Sequence, residues 1–324
     1  MNITTRKILS AFLLGLLVPW TWIKIGNLLY PEHTNIADTA PSTQTTDAVE
    51  RPVVISVWSD NAGVSVMELE EYLVGVILAE MPTSFEPEAL KAQAVVARTY
   101  ALKRAKEMRH QQGAVCTDAA CCQAYVSNDE YLNGLGYAED IQIARSAVTA
   151  TAGMVITYDG ELAETTYFHS SGGMTENAVA VWGTEYPYLQ SVESPGEEMM
   201  EHYQAEVYYD ESTLEQLLGR QLSGTPKSWL GWTTYTTGGG VHTMQFAGQQ
   251  YSGVELRAKL QLNSTSFNMT ADDGGITIKT LGKGHRVGMS QCGAQAMALT
   301  GSSCREILAH YYPGTRIDKF VDVR

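Results

Sequence analysis

Leu78-Ala79-Glu80-Met81-Pro82, followed by Pro87-Glu88-Ala89-Leu90-Lys91-Ala92-Gln93-Ala94-Val95-Val96-Ala97-Arg98-Thr99-Tyr100, reads as the end of one helix and the start of the next. Met67 to Glu80 has helical spacing. At about 100° per residue, Leu69, Leu73, Val76 and Glu80 share one face, while Glu68 and Glu71 point elsewhere. A carboxylate on an apolar seam either finds a partner or has its pKa raised. A Glu that keeps its proton near neutral pH can serve as a general acid. The plain alternative is a fraying last turn, with Glu80 in solvent before the Pro82 break. Thr83-Ser84-Phe85-Glu86 has the capping-box pattern, and Pro87 suits a first helical turn. The Ala density then predicts a closely packed helix running to about Arg109.

Outward from that stretch, the pattern alternates. Val53 to Trp58 is a β-branched run suited to a strand, and Asn61-Ala62-Gly63 turns the chain. A helix is expected over Asp140 to Ala152, with Gly153 as its terminating glycine. Met154–Tyr158 and Glu161–Phe168 flank Asp159-Gly160, a strong two-residue hairpin signal. Residues 197–268 read as an inserted or second subdomain, with helices at Ser212–Leu222 and Gly253–Leu262 and a strand at Gly240–Ala247. A strand at Ile276–Leu281 follows. Ser303-Cys304-Arg305-Glu306 is a second capping box, opening a last helix before Pro313-Gly314. The expected class is α+β, with mixed helices and short sheets; α/β is the alternative.

The 324 residues are 44% apolar, enough for one large domain or two small ones. A net charge of −14 makes nucleic acid a poor partner and disfavours electrostatic attraction to anionic wall polymers. Seventeen Tyr and six Trp offer flat faces for sugar rings, although core packing accounts for most of them. Arg6-Lys7 precede an apolar run from Ile8 to Ile23 that extends past Lys24 to Leu29, close to the roughly 20 residues a bilayer requires. Residues 1–30 are therefore expected to form a cytoplasmic tip and an uncleaved membrane anchor, with the body outside. A signal peptide is the competing reading, but no small-x-small cleavage pattern follows the run closely. Residues 31–51 read as a flexible linker, and 52–324 as the folded body.

Three blocks, in order, resemble the stage II sporulation protein D family, SpoIID, and its wider SpoIID/LytB domain. They are Ala79–Pro82 with Glu88–Tyr100; Tyr167-Phe168-His169-Ser170-Ser171-Gly172-Gly173-Met174-Thr175-Glu176 with Val181-Trp182-Gly183 and Pro187-Tyr188-Leu189; and Gly282-Lys283-Gly284-His285-Arg286-Val287-Gly288-Met289-Ser290-Gln291. The resemblance implies a membrane-anchored lytic transglycosylase that cuts peptidoglycan glycan strands, denuded of stem peptides, during engulfment of the forespore. It places the catalytic acid at Glu80. It implies an amidase partner like SpoIIP, a membrane partner like SpoIIM, and a location in the mother-cell membrane facing the forespore. The alternative is a non-catalytic, wall-binding amidase enhancer of the LytB type.

A hydrolytic glycosidase usually needs two carboxylates. A lytic transglycosylase needs one, since the substrate's C6 hydroxyl is the nucleophile. Glu80 has no obvious partner in sequence, although Glu176, Glu185 or Asp273 could approach in the fold. His169-Ser170-Ser171 resembles a nucleophile arrangement, with Gly172 and Gly173 as backbone donors. Beside the resemblance, that loop with Tyr167 reads as a sugar-binding wall. His285, Ser290 and Gln291 join it, and the glycines of Gly282-Lys283-Gly284 let backbone approach the glycan. The same Gly-Lys-Gly is a weak lookalike of a phosphate loop. Arg98 and Tyr100 are expected to hold Glu80 or substrate; otherwise they are ordinary helix residues.

Cys116, Cys121 and Cys122 lie within seven residues, with His110 just before them, a density of thiol and imidazole that suits structural zinc. The family, as the resemblance implies, carries a two-Cys, two-His zinc site here, and Cys121 stands where the second His would be. A disulfide is the alternative in an extracytoplasmic body. Cys292 and Cys304 read as buried small apolar residues.

Overall fold

The computed structural model describes residues 52–59, 63–108, 110, 115–134, 136–200 and 203–320. The expected anchor, the linker and the Asn61-Ala62 turn lie outside the described residues. Among the described residues, no helix is long and apolar enough to cross a membrane. The architecture is mixed α and β, with several small sheets around helices.

At the centre is the Ala-rich helix, Pro87–Lys106. Ala89, Ala92, Ala94, Ala97 and Ala101 are all fully buried, so neighbours close on it from several sides. They include helix Leu69–Glu80, helix Ala138–Ala150, helices Gln291–Leu299 and Cys304–Tyr311, and strand Met154–Tyr158. Small side chains permit this close approach without breaking helix propensity. Pro87 sits in the first turn as expected, but the Thr83–Glu86 capping box does not form. Thr83 instead bonds Asp140 on the neighbouring helix at 2.5 Å, and Glu86 is the cap position without a side-chain bond. The helix stops at Lys106, ahead of the expected end, and Met108 takes a left-handed φ of 53°.

The helix bearing Glu80 begins at Leu69, two residues later than its spacing suggests. Met67 belongs to strand Gly63–Glu68, which pairs antiparallel with Val54–Ser59. Val64 and Val66 make those residues good strand formers, and the ladder overrides the helical period. Val115–Cys116 joins the same sheet in parallel. Helix Ala138–Ala150 forms two residues ahead of the expected Asp140–Ala152, and the Asp159-Gly160 turn forms where expected, with positive φ at both turn residues. The second hairpin arm is only Glu161–Leu162. The chain then leaves the hairpin, and Tyr167–Phe168 pairs in parallel with Met289–Ser290. That pairing, joined by a Ser170–Lys283 bridge, clamps the second sequence block to the third.

A second hydrophobic cluster holds Leu214, Trp229, Phe246, Leu256, Phe267 and Ile278. It is built by two three-stranded sheets and runs past residue 268, because strand Gly275–Leu281 is the centre of one of them. Helices Glu211–Leu218 and Gly253–Lys259 are shorter than their spacing suggests. The Ser303–Glu306 capping box forms as expected.

Candidate active site

Glu80 closes its helix at the foot of a cleft of about 1070 Å³. Leu69, Leu73 and Val76, on the same helical face, are buried, so the seam carries the carboxylate out of solvent. Its Oε1 accepts the Ala124 N–H at 2.7 Å and lies 3.0 Å from the Tyr167 hydroxyl. Burial is the largest influence and raises the Glu80 pKa; the bonds from Ala124 and Tyr167 and the nearby Gln291 amide oppose it. The fraying, solvated alternative is therefore not what forms. Gln291 lines the cleft beside Glu80.

Tyr167 is itself held by a relay. Its hydroxyl lies 3.2 Å from the Gln123 Oε1, and Gln123 Nε2 donates to the Tyr72 hydroxyl at 3.0 Å. Tyr167 has one proton for two acceptors, and burial keeps its pKa well above normal, so its hydroxyl stays protonated and able to donate. Tyr100 also lines the cleft, with the Arg104 guanidinium 4.6 Å from its ring centroid.

His285 lines the cleft between Phe168 and Trp182, with ring centroids at 5.6 and 5.2 Å. Its Nδ1 accepts the Val287 N–H, and burial pulls its pKa down to about 4, so the ring is neutral at physiological pH. His169 lines the cleft as well, with Nε2 3.8 Å from the buried Cys292 Sγ. Trp182 and Tyr186 are cleft aromatics that the sequence reading did not single out as site residues. The signal for Trp182 was the Val181-Trp182-Gly183 block itself; Tyr186 falls between the quoted blocks.

Other expected site residues do different work. Arg98 is fully buried and does not line the cleft. It grips Glu70 through two bonds of 3.0 and 2.6 Å and donates to the Met154 and Val148 carbonyls. It therefore ties the Glu80 helix to the Ala-rich helix. Ser171, Gly172 and Ser290 bond the buried carboxylate of Glu197 and do not form a sugar wall. Glu197 Oε2 accepts the Ser171 N–H, the Ser171 hydroxyl and the Gly172 N–H at 2.7, 2.9 and 2.9 Å. Its Oε1 accepts the Ser194 and Ser290 hydroxyls. Gly173 donates to Ser171 Oγ, and Ser170 is fully buried with its hydroxyl unpaired. With the Ser171 hydroxyl committed to Glu197 and Ser170 fully buried, this loop does not present a serine nucleophile to the cleft. Gly282 and Gly284 serve packing: a Cβ there would lie 2.6 Å from the Ser170 carbonyl oxygen and 2.7 Å from Phe168 Cβ.

Nothing local marked Glu197, which follows a Pro-Gly turn and reads as a solvent residue. Truncating it to Ala would orphan five donors in the interior. The expected cost is about 3–5 kcal/mol, read as a fall in the denaturation midpoint. A midpoint within error of wild type would show that the cradle carries no load.

None of Glu176, Glu185 and Asp273 lines the cleft. Glu176 is buried 3.3 Å from Arg286, and Asp273 is exposed beside Lys227. Two other carboxylates line the cleft, Glu107 and Glu164, and both are paired with Arg104.

The ligand atoms of His110, Cys116, Cys121 and Cys122 lie within 4.8 Å of one another. His110 Nε2 is 3.5 Å from Cys121 Sγ and 3.4 Å from Cys122 Sγ. Bonds of about 2.3 Å to sulfur and 2.0 Å to nitrogen give a tetrahedron with S–N edges of about 3.5 Å, so the residues fit one tetrahedral metal. All five cysteines are free, and Cys292 and Cys304 are buried as expected. Cys122 precedes Gln123 and Ala124, so the cluster borders the residues that hold Tyr167 and Glu80.

Fold and cleft together define an α+β protein with a desolvated acid, Glu80, at the foot of an aromatic-lined groove and a His/Cys cluster able to hold a metal beside it. A family model described as "Stage II sporulation protein", SpoIID, matches residues 59–158. The chain is 38% identical to stage II sporulation protein D of Bacillus amyloliquefaciens, over 83% of this chain and 80% of that one. It is 35% identical to stage II sporulation protein D of Bacillus subtilis (strain 168), over 94% and 90%. An amidase enhancer of Bacillus subtilis (strain 168) is 28% identical, over 76% of this chain and 40% of that one. The chain belongs to the stage II sporulation protein D family.

Proposed function

We propose that the protein is a lytic transglycosylase that cleaves peptidoglycan glycan strands, with Glu80 as its acid and then its base. The observation that carries this reading is the desolvated Glu80 carboxyl, which has no paired base among the described residues, whereas the other cleft carboxylates, Glu107 and Glu164, are paired with Arg104. Burial favours its protonated form. Glu80 gives that proton to the glycosidic oxygen, and the bond to the anomeric carbon breaks. The substrate's C6 hydroxyl attacks the anomeric carbon while the Glu80 carboxylate takes the hydroxyl proton. The product carries a 1,6-anhydro-muramic end, and no water is consumed. Tyr167 and the Ala124 N–H stabilise the carboxylate between the two transfers.

The four-residue cluster would hold zinc. With four protein ligands it leaves no position for substrate, so the metal supplies structure only: it fastens the loop that ends in Gln123 and Ala124. The amidase-enhancer relative supports a second reading, non-catalytic wall binding. Glu80 favours the enzyme, because unlike the buried Glu176 and Glu197, which are committed to structural partners, it lies in the open cleft where it can exchange a proton with a ligand. Mass spectrometry of glycan strands digested with the full-length chain is expected to find anhydro-muramic ends. Reducing ends would identify a hydrolase, and intact strands would favour the enhancer.

The proposed setting is the mother-cell membrane, with the body facing the forespore wall during engulfment, alongside an amidase and a membrane partner. The apolar run behind Arg6-Lys7 supports it. Protein recovered from membranes is expected to retain its first thirty residues; an N-terminus near Ala40 in a soluble fraction would mean a cleaved signal.

A further inference from the structure

The cleft has two arginines with opposite settings. Arg104 is paired with Glu164 and with Glu107. Arg257, at the end of helix Gly253–Lys259, has no acid within ion-pairing distance among the described residues. Its Nε donates a long bond of 3.4 Å to the Leu262 carbonyl, and its Nη groups have no protein acceptor among the described residues. Burial lowers its pKa, so the fold bears a desolvation cost that no internal anion offsets. Lys283, on the same cleft lining, also lacks an acidic partner among the described residues.

Among the described residues, Arg98, Arg104, Arg145 and Arg286 are paired with acids, whereas Arg220, Arg305 and Arg316, like Arg257, are not; of the arginines that line the cleft, Arg104 is paired and Arg257 is not. A half-buried guanidinium without an anion, in the cleft that holds Glu80, marks a place where an anion arrives with the ligand.

We propose that Arg257, assisted by Lys283, is a subsite for a carboxylate of the glycan substrate. This rests on the reading that a glycan strand occupies the Glu80 cleft. Peptidoglycan offers that chemistry from two sources. A strand stripped of peptides exposes the lactyl carboxylate of each muramic residue, whereas a peptide-bearing strand has that group amidated and carries its carboxylates on the peptide. The lactyl group is the better match, because it sits on the sugar ring that Glu80 must reach. A bidentate guanidinium–carboxylate contact in a desolvated cleft is expected to contribute about tenfold to a hundredfold in affinity.

The test uses full-length protein with Glu80→Gln, so that binding is read without turnover. Its partners are stripped strands, stripped strands with the lactyl carboxylates converted to methylamides, and peptide-bearing strands. Stripped strands are expected to bind at least tenfold tighter than methylamidated ones. Adding Arg257→Met should abolish that preference, and Arg257→Lys should restore part of it. If only peptide-bearing strands bind in an Arg257-dependent way, the carboxylate subsite stands and its source is the peptide. If Arg257→Met, folded by circular dichroism, ranks all three ligands as the parent does, the proposal is wrong. In the Glu80 parent, Arg257→Met should raise KM with a smaller change in kcat. Arg257-dependent binding without any anhydro ends would overturn the reaction and leave the subsite; anhydro ends with no carboxylate preference would do the reverse.

Discussion

Replacing Glu80 with glutamine is expected to lower turnover on glycan strands by about a thousandfold and to raise the melting temperature at neutral pH. Glutamine keeps an oxygen for the Ala124 N–H and the Tyr167 hydroxyl but has no proton to give. The stability gain follows from the direction of the pKa shift. Burial raises the Glu80 pKa in the folded protein. The folded state thus holds this proton more tightly than the unfolded chain, and ionising it destabilises the fold. That cost is absent below the ordinary carboxylate value of 4.5 and complete above the raised folded value. The variant should melt above wild type at pH 7, and the gap should close as pH falls through that window. Wild-type cleavage should decline as pH rises past the raised value, because the acid form is then lost. Calorimetry across pH, paired with product analysis, checks both parts. A variant that still cuts at the wild-type rate would remove Glu80 from the chemistry.

Stripping metal from the His110, Cys116, Cys121 and Cys122 cluster is expected to cost several kcal/mol, on the order of 10 °C in melting temperature for a body of this size. With a metal bound, the cluster would fasten the loop from which Ala124 bonds Glu80 and Gln123 bonds Tyr167. Without it, the bonds that position the acid loosen, and activity should fall through placement alone. Cys122→Ser should therefore lose metal and stability while the remaining activity yields the same anhydro ends. Elemental analysis of reduced, tag-free protein should give one zinc per chain. Protein without metal, with Cys116 linked to Cys121 or Cys122, would mean that the pair is a disulfide.

The same loop shows why one glycine matters to the acid. Gly75 lies about one and a half turns before Glu80 on its helix, and its carbonyl accepts the Val126 N–H. A Cβ there would come within 2.4 Å of both the Tyr125 ring and the Val126 carbonyl oxygen. Bare helix backbone at this point lets the segment carrying Ala124 lie against the Glu80 helix.

Several features were legible because they act over a few residues. Helical spacing put Glu80 on the buried face of its helix. The Asp159-Gly160 turn, the Ser303–Glu306 cap and the close run of Cys116, Cys121 and Cys122 are likewise local patterns, and each forms a site or turn of its own. Only tertiary structure decided what the polar residues of the second and third blocks do. Ser290 and Glu197 meet across 93 residues of chain, and Arg286 and Glu176 across 110. Sequence spacing carries no information about such partners, so hydroxyls that suit a sugar proved to hold a buried carboxylate. Arg98 shows the same limit: its side chain is committed to Glu70, 28 residues earlier, because two helices pack there. Period and propensity report on a residue's own turn, whereas a buried charge is placed by whichever opposite charge the packed core brings to it.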